Sequence, residues 1–127
     1  MNFLAKDVWT KIEARGDVPL RGRHGHTACQ FEGNLVIFGG ELKFNEELKF
    51  RECSNDMYIF NLERKQWKYN KPEGKIIDPR RNHTAAMHNK HMYIYGGVDI
   101  EGKFLKDVWS FNFSKFGVCE FILTYSF

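Results

Sequence analysis

Five histidines, three cysteines and the arginines gathered ahead of two apolar strands are the side chains of this 127-residue chain with chemistry to offer. A histidine beside carboxylates or thiolates would imply a metal centre or a general base. His26 and His83, however, stand 57 residues apart and each is followed by Thr-Ala, at Thr27-Ala28 and Thr84-Ala85. Twin surroundings imply one local hydrogen-bonding task performed twice. His88 and His91 sit around a turn signal and are expected at the surface. Cys29, Cys53 and Cys119 lack metal-ligand spacing and are odd in number, which fits free thiols in a reducing, cytoplasmic compartment. There is no His-x-x-x-His on a helix, no clustered carboxylate pair and no Gly-x-Ser-x-Gly turn. The stretch Gly16 to Gly25 lacks the Lys-Ser/Thr end of a phosphate loop. No catalytic residue, metal ligand or cofactor is therefore expected.

The charged residues offer recognition instead. Arg21, Arg23, Arg80 and Arg81 precede equivalent strands, and their guanidinium forks could meet an acidic peptide or phosphate bidentately, or form solvated or internal salt bridges. Glu41, Glu46, Glu47 and Glu52 alternate with Lys43, Lys49 and Arg51 in one long loop. The candidate partner-binding residues are Arg21, Arg80, Arg81, Glu46, Glu47 and Lys49.

A sentence written twice positions these groups. Arg-His-Gly-His-Thr-Ala from Arg23, running to Gly39-Gly40, returns as Arg-Asn-His-Thr-Ala from Arg81, running to Gly96-Gly97. A repeat of this length is read before any local element. Four short strands fit the first copy: His24 to Gln30, Asn34 to Phe38, Asp56 to Asn61 and Gln66 to Tyr69. The second offers Asn82 to Met87, Lys90 to Tyr95, Asp107 to Asn112 and a fourth segment beginning near Phe116. All are β-branched or aromatic and bounded by Gly, Asn, Asp or charged pairs. Phe31 to Asn34 and Met87 to Lys90 read as tight hairpins, with Gly33 and Asn89 suited to positive φ. The loops after the diglycines differ, 41–55 against 98–106, a change that surface loops absorb at modest entropic expense.

Composition bounds the rest. Hydrophobic residues at 43% and aromatics at 16% supply a core. The formal charge of +3 is mild and mixed along the chain, so nucleic acid is not an expected partner. No run approaches the roughly 20 apolar residues of a membrane helix.

These residues resemble the kelch repeat of β-propellers. The matching positions are Arg23, His26, Thr27, Gly39, Gly40, Asp56, Tyr58 and Trp67, then His83, Thr84, Gly96, Gly97, Asp107 and Trp109. The second copy has no final Trp; the position aligned with Trp67 is Val118. The expected fold is all-β, a partial kelch-type propeller of about two four-stranded antiparallel blades plus one N-terminal strand. Residues 1–20 would hold the last strand of a preceding blade, with Trp9 aligned to Trp67, and a linker; 21–71 the first blade; 78–127 the second, divergent at its end. Propellers close with about four to eight blades. The chain is thus expected to be a portion of a longer propeller, with an open pair of blades or a ring of several chains as alternatives. The resemblance implies a noncatalytic protein-protein interaction module, an adaptor or scaffold binding an unidentified protein or peptide through the loops of one face, with self-association through exposed blade edges. The alternative it leaves is a fragment of a propeller enzyme, such as a metal-assisted lyase or isomerase.

Overall fold

Two paired left-handed residues turn each innermost pair of strands. In the computed structural model, which describes residues 7–47, 49, 51–71, 73–115 and 118–122, β3 (Thr27–Phe31) meets β4 (Asn34–Phe38) around Glu32 at φ 44° and Gly33 at φ 75°. β9 (Thr84–His88) meets β10 (His91–Tyr95) around Asn89 at 46° and Lys90 at 61°. Two consecutive positive φ angles match the right-handed twist of the flanking strands. The second turn thus falls one residue later than the sequence suggests, and Lys90 occupies the position that Gly33 fills in the first copy. The first strands also start later than expected, at Thr27 and Thr84, because Gly25 at φ 69° and Asn82 at φ 57° break the extended chain just before them.

β6 (Met57–Asn61) adds antiparallel to β4 and β7 (Gln66–Asn70) to β6. In the second copy β11 (Val108–Asn112) follows β10, and β12 (Val118–Ile122) pairs with β11. Phe116, where the fourth segment was expected to begin, lies outside the described residues. Each sheet then gains a fifth strand that the repeat did not announce. β1 (Arg15–Gly16) lies parallel on β7, and β8 (Glu73–Gly74) lies parallel on β12. The orders are β1-β7-β6-β4-β3 and β8-β12-β11-β10-β9. Among the described residues, 7–14 carry no strand and Trp9 is fully exposed, while Arg15–Gly16 covers the outer edge of the first sheet. A two-residue ribbon, β2 (Arg23–His24) with β5 (Glu41–Leu42), lies at the end where the long loops leave. Among the described residues there is no α-helix; a single 3-10 turn spans Phe113–Lys115.

The core lies between the two sheets. The register aligns Cys29, Val36 and Ile59 across the first sheet, with Phe38 opposite Met57 on the same face. From the second sheet Ile94 opposite Trp109 and Met92 opposite Phe111 meet them, joined by Ile77 from the linker. Trp109 is 8% exposed, and burying such a ring removes about 150 to 250 Å² from water.

Candidate functional site

The diglycines bring the loops and the strand approaches together. All four glycines hold positive φ, from 69° to 98°. A Cβ on Gly40 would lie 2.8 Å from the His24 carbonyl oxygen, and one on Gly97 2.7 Å from that of Arg81. The chain crosses here at a separation only glycine permits.

Arg80 is the centre of the second copy. It is 0% exposed, its Nη1 donates to the Gly96 carbonyl at 2.9 Å, and its fork grips Asp107 at 2.6 and 2.8 Å. Trp109 Nε1 donates to the same carboxylate at 2.7 Å. Burial by itself would raise the Asp107 carboxyl; the Arg80 and Trp109 hydrogen bonds overcome this and hold it below the usual carboxylate range. Gly96 precedes loop 98–106 and Asp107 follows it, so one guanidinium holds both ends. Arg80 was expected among the partner-binding residues. That reading is corrected, because a wholly buried side chain bonded to Asp107 has no surface to offer.

The repeat keeps its 57-residue period, and only the pairing of its first arginine changes. Arg23 donates to the Gly39 carbonyl at 3.2 Å as Arg80 does to Gly96, so Arg23 corresponds to Arg80, and Gly25 to Asn82. Arg23 lies over the Tyr58 ring at 5.4 Å. Tyr58 has no indole N–H for Asp56, and no Arg23–Asp56 ion pair closes among the described residues.

His83 Nε2 lies 2.8 Å from Thr27 Oγ1, and its ring meets Phe38 edge-on at 5.3 Å. The task is therefore between blades, not local to His83 and its own Thr84. Burial, followed by the Arg80 charge, pushes His83 down to about 4, so the ring is neutral. Nδ1 is buried with no hydrogen bond of good geometry, and the Phe38 backbone acts weakly against the downward shift. His26, in the matching position, is largely exposed; slight desolvation on its covered side, then the charges of Arg23 and His24, lower its pKa. Trp67 packs on Phe60 at 5.0 Å and edgewise on Tyr58 at 6.2 Å, on the first sheet's other face.

Glu41, placed by the sequence among the acidic residues of the long loop, is 5% exposed. It receives His24 Nε2 at 3.0 Å, Arg51 Nη1 at 3.3 Å and Arg81 Nε at 3.7 Å. Its place on β5, directly after the diglycine, was the available signal, since the ribbon turns that side chain inward. Arg21 pairs with Glu52 at 2.7 Å and donates to the Lys43 carbonyl at 2.6 Å. Glu46, Glu47 and Lys49 are exposed at the loop tip, with Lys49 3.9 Å from Glu46.

Between the two loops and the approach to β9 lies an open cleft of about 480 Å³, lined by Arg51, Glu52, Cys53, Asp78, Asp99 and Ile100 with their neighbours. Phe44, Ile100 and Phe104 stand on the same loops at 39, 56 and 79% exposure. Charged walls with exposed apolar side chains suit noncovalent docking. Among the described residues no cluster of three His, Cys, Asp or Glu side chains is placed to hold a metal.

Sheets of this order, joined by diglycine exits and an inter-blade histidine, are those of a β-propeller built from repeats. The pattern of the KLHDC2/KLHL20/DRC7 Kelch-repeats domain matches residues 2–124, and the chain belongs to that kelch-repeat family. It is 28% identical over 109 residues to the flagellar outer-arm dynein alpha chain of Chlamydomonas reinhardtii, covering 86% of this chain and 2% of that protein. It is 34% identical over 90 residues to dynein regulatory complex subunit 7 of the same organism, covering 68% of this chain and 7% of that one. The solved structure of YjhT superposes with a TM-score of 0.69 at 19% identity, over 83% of this chain and 39% of that one, and shares the fold. The chain thus spans a small part of these relatives. No helix among the described residues is long and apolar enough to cross a membrane.

Proposed function

We propose that this chain is a noncatalytic protein-protein interaction module, a cytoplasmic adaptor or scaffold element that docks a protein or peptide across loops 41–55 and 98–106. The observation that carries this reading is the cleft with Ile100 in its wall, while Phe44 and Phe104 stand exposed elsewhere on the same two loops and the Arg80 clamp ties the ends of the second. Exposed aromatic and aliphatic anchors beside charged rims supply most of the affinity in such contacts. The relatives named as a dynein chain and a regulatory complex subunit are components of protein assemblies, which supports the same reading. The unbridged thiols of Cys29 and Cys53, both pushed up by burial, fit a reducing compartment.

The test is selection of displayed peptides against the whole chain, followed by affinity measurement on variants. Ile100→Asp and Phe104→Asp should each weaken the selected binders by roughly tenfold or more, while Lys68→Glu on β7 leaves them unchanged. Binders equally tight on all three variants, or turnover accompanied by a stoichiometric metal, would overturn the proposal.

A further inference from the structure

The two copies are built alike yet buried unlike. Leu20 and Ile77 are equivalent, 57 residues apart, but Leu20 is 96% exposed and Ile77 3%. Arg23 is half-buried where Arg80 is wholly buried. A Cβ on Gly39 would meet the His83 ring at 2.8 Å, because the second blade lies over it; at Gly96 the nearest atom is the Leu105 carbonyl oxygen at 3.3 Å.

The first sheet's outer face carries apolar and aromatic residues like those of the second sheet's covered face, with Phe60 already lying beneath Trp67. On the first sheet's outer face the register aligns Ala28, Ile37 and Tyr58, and beside them Leu35 and Phe60. These stand where Ala85, Ile94, Trp109, Met92 and Phe111 stand on the second sheet's buried face. The second sheet's outer face presents Thr84, Tyr93 and Tyr95 at the positions of Thr27, Val36 and Phe38, the side that already receives a blade within the chain. The chain therefore carries both halves of one interface, at opposite ends.

We propose that a second copy of this chain docks there head to tail, the outer face of its second sheet seated on the outer face of the first. Thr84 of one copy then meets His26 of the other as Thr27 meets His83. The backbone bond from the Gly40 N–H to the Arg80 carbonyl, 2.8 Å within the chain, is repeated between the Gly97 N–H and the Arg23 carbonyl. Tyr93 and Tyr95 bring hydroxyls where Val36 and Phe38 bring none, so the contact between copies is wetter than the one within the chain and is reversible. The association uses sheet faces, not the strand edges, whose outer members β1 and β8 already cover. An interface between different patches is heterologous and continues beyond two copies unless it closes. It does not involve the loop cleft and stands apart from the peptide-docking reading.

Sedimentation of the whole chain at rising concentration tests this. The mean mass should climb above the 15.0 kDa monomer. Leu20→Asp and Tyr95→Asp both alter exposed side chains and should fold as the parent does, checked by far-ultraviolet circular dichroism. Each variant alone should be monomeric, and an equal mixture should form a dimer and stop, since each supplies the face the other lacks. A parent chain that stays monomeric, assembly that survives either substitution, or a mixture that remains monomeric would each overturn the proposal.

Discussion

Protonating His83 should loosen the joint between the blades, and replacing it with leucine isolates that effect. The ring is held at about 4 against 6.5 for a free histidine. The folded state therefore keeps it neutral while the unfolded chain takes up a proton below about pH 6.5. Stability from this group is fully present above that value and is lost as pH falls toward the folded value. A shift of this size withdraws about 2 kcal/mol at pH 5 and about 3 kcal/mol at pH 4. That is a large share of the roughly 5 to 15 kcal/mol that holds a domain folded. His83→Leu removes the titration and the bond to Thr27, the latter contributing about 1 kcal/mol at neutral pH. Urea unfolding of both proteins from pH 7 to pH 4 is the assay, because every other titrating group cancels in the difference. The parent should be the more stable at pH 7 and should lose about 3 kcal/mol relative to the variant by pH 4. A difference that does not change with pH would show that His83 is solvated or already charged, and would refute the inter-blade role assigned to it.

Asp107→Ala leaves the Arg80 guanidinium buried without its carboxylate and should cost about 3 to 5 kcal/mol; Arg80→Met together with Asp107→Leu should recover much of that loss, as read by chemical denaturation. Lys90→Gly relieves a left-handed residue at φ 61° and should gain about 1 kcal/mol, seen as a melting temperature raised by a few degrees.

The repeat was legible because its signals are local. Diglycine, Asp-x-aromatic and the hairpin residues each fix a turn or a packing position within a few residues, so strands β4, β6, β7, β10 and β11 fall within a residue of their expected bounds. What escaped were features settled between the copies. The parallel strands β1 and β8 are two residues long, with no pattern of their own, and exist only because an outer strand has an open edge to fill. The partner of His83 could not be read from its neighbour Thr84, since the bond reaches Thr27 in the other blade. The site showed the same division. Loop placement followed from the repeat, whereas the inward turn of Glu41 depends on the ribbon of β2 with β5. Arg80 and Arg81 are told apart by the 57-residue period, which pairs Arg80 with Arg23 and Arg81 with His24, but the depth of Arg80 depends on Asp107 and Gly96 reaching it from across the sheet.

The Arg80 clamp divides the second loop from the sheet that carries it. A single guanidinium secures the Gly96 carbonyl before the loop and the Asp107 carboxylate after it, so residues 98–106 leave and re-enter the sheet between two posts tied to one side chain. A change of sequence between those posts leaves each of the three bonds made by the clamp with its partner in place.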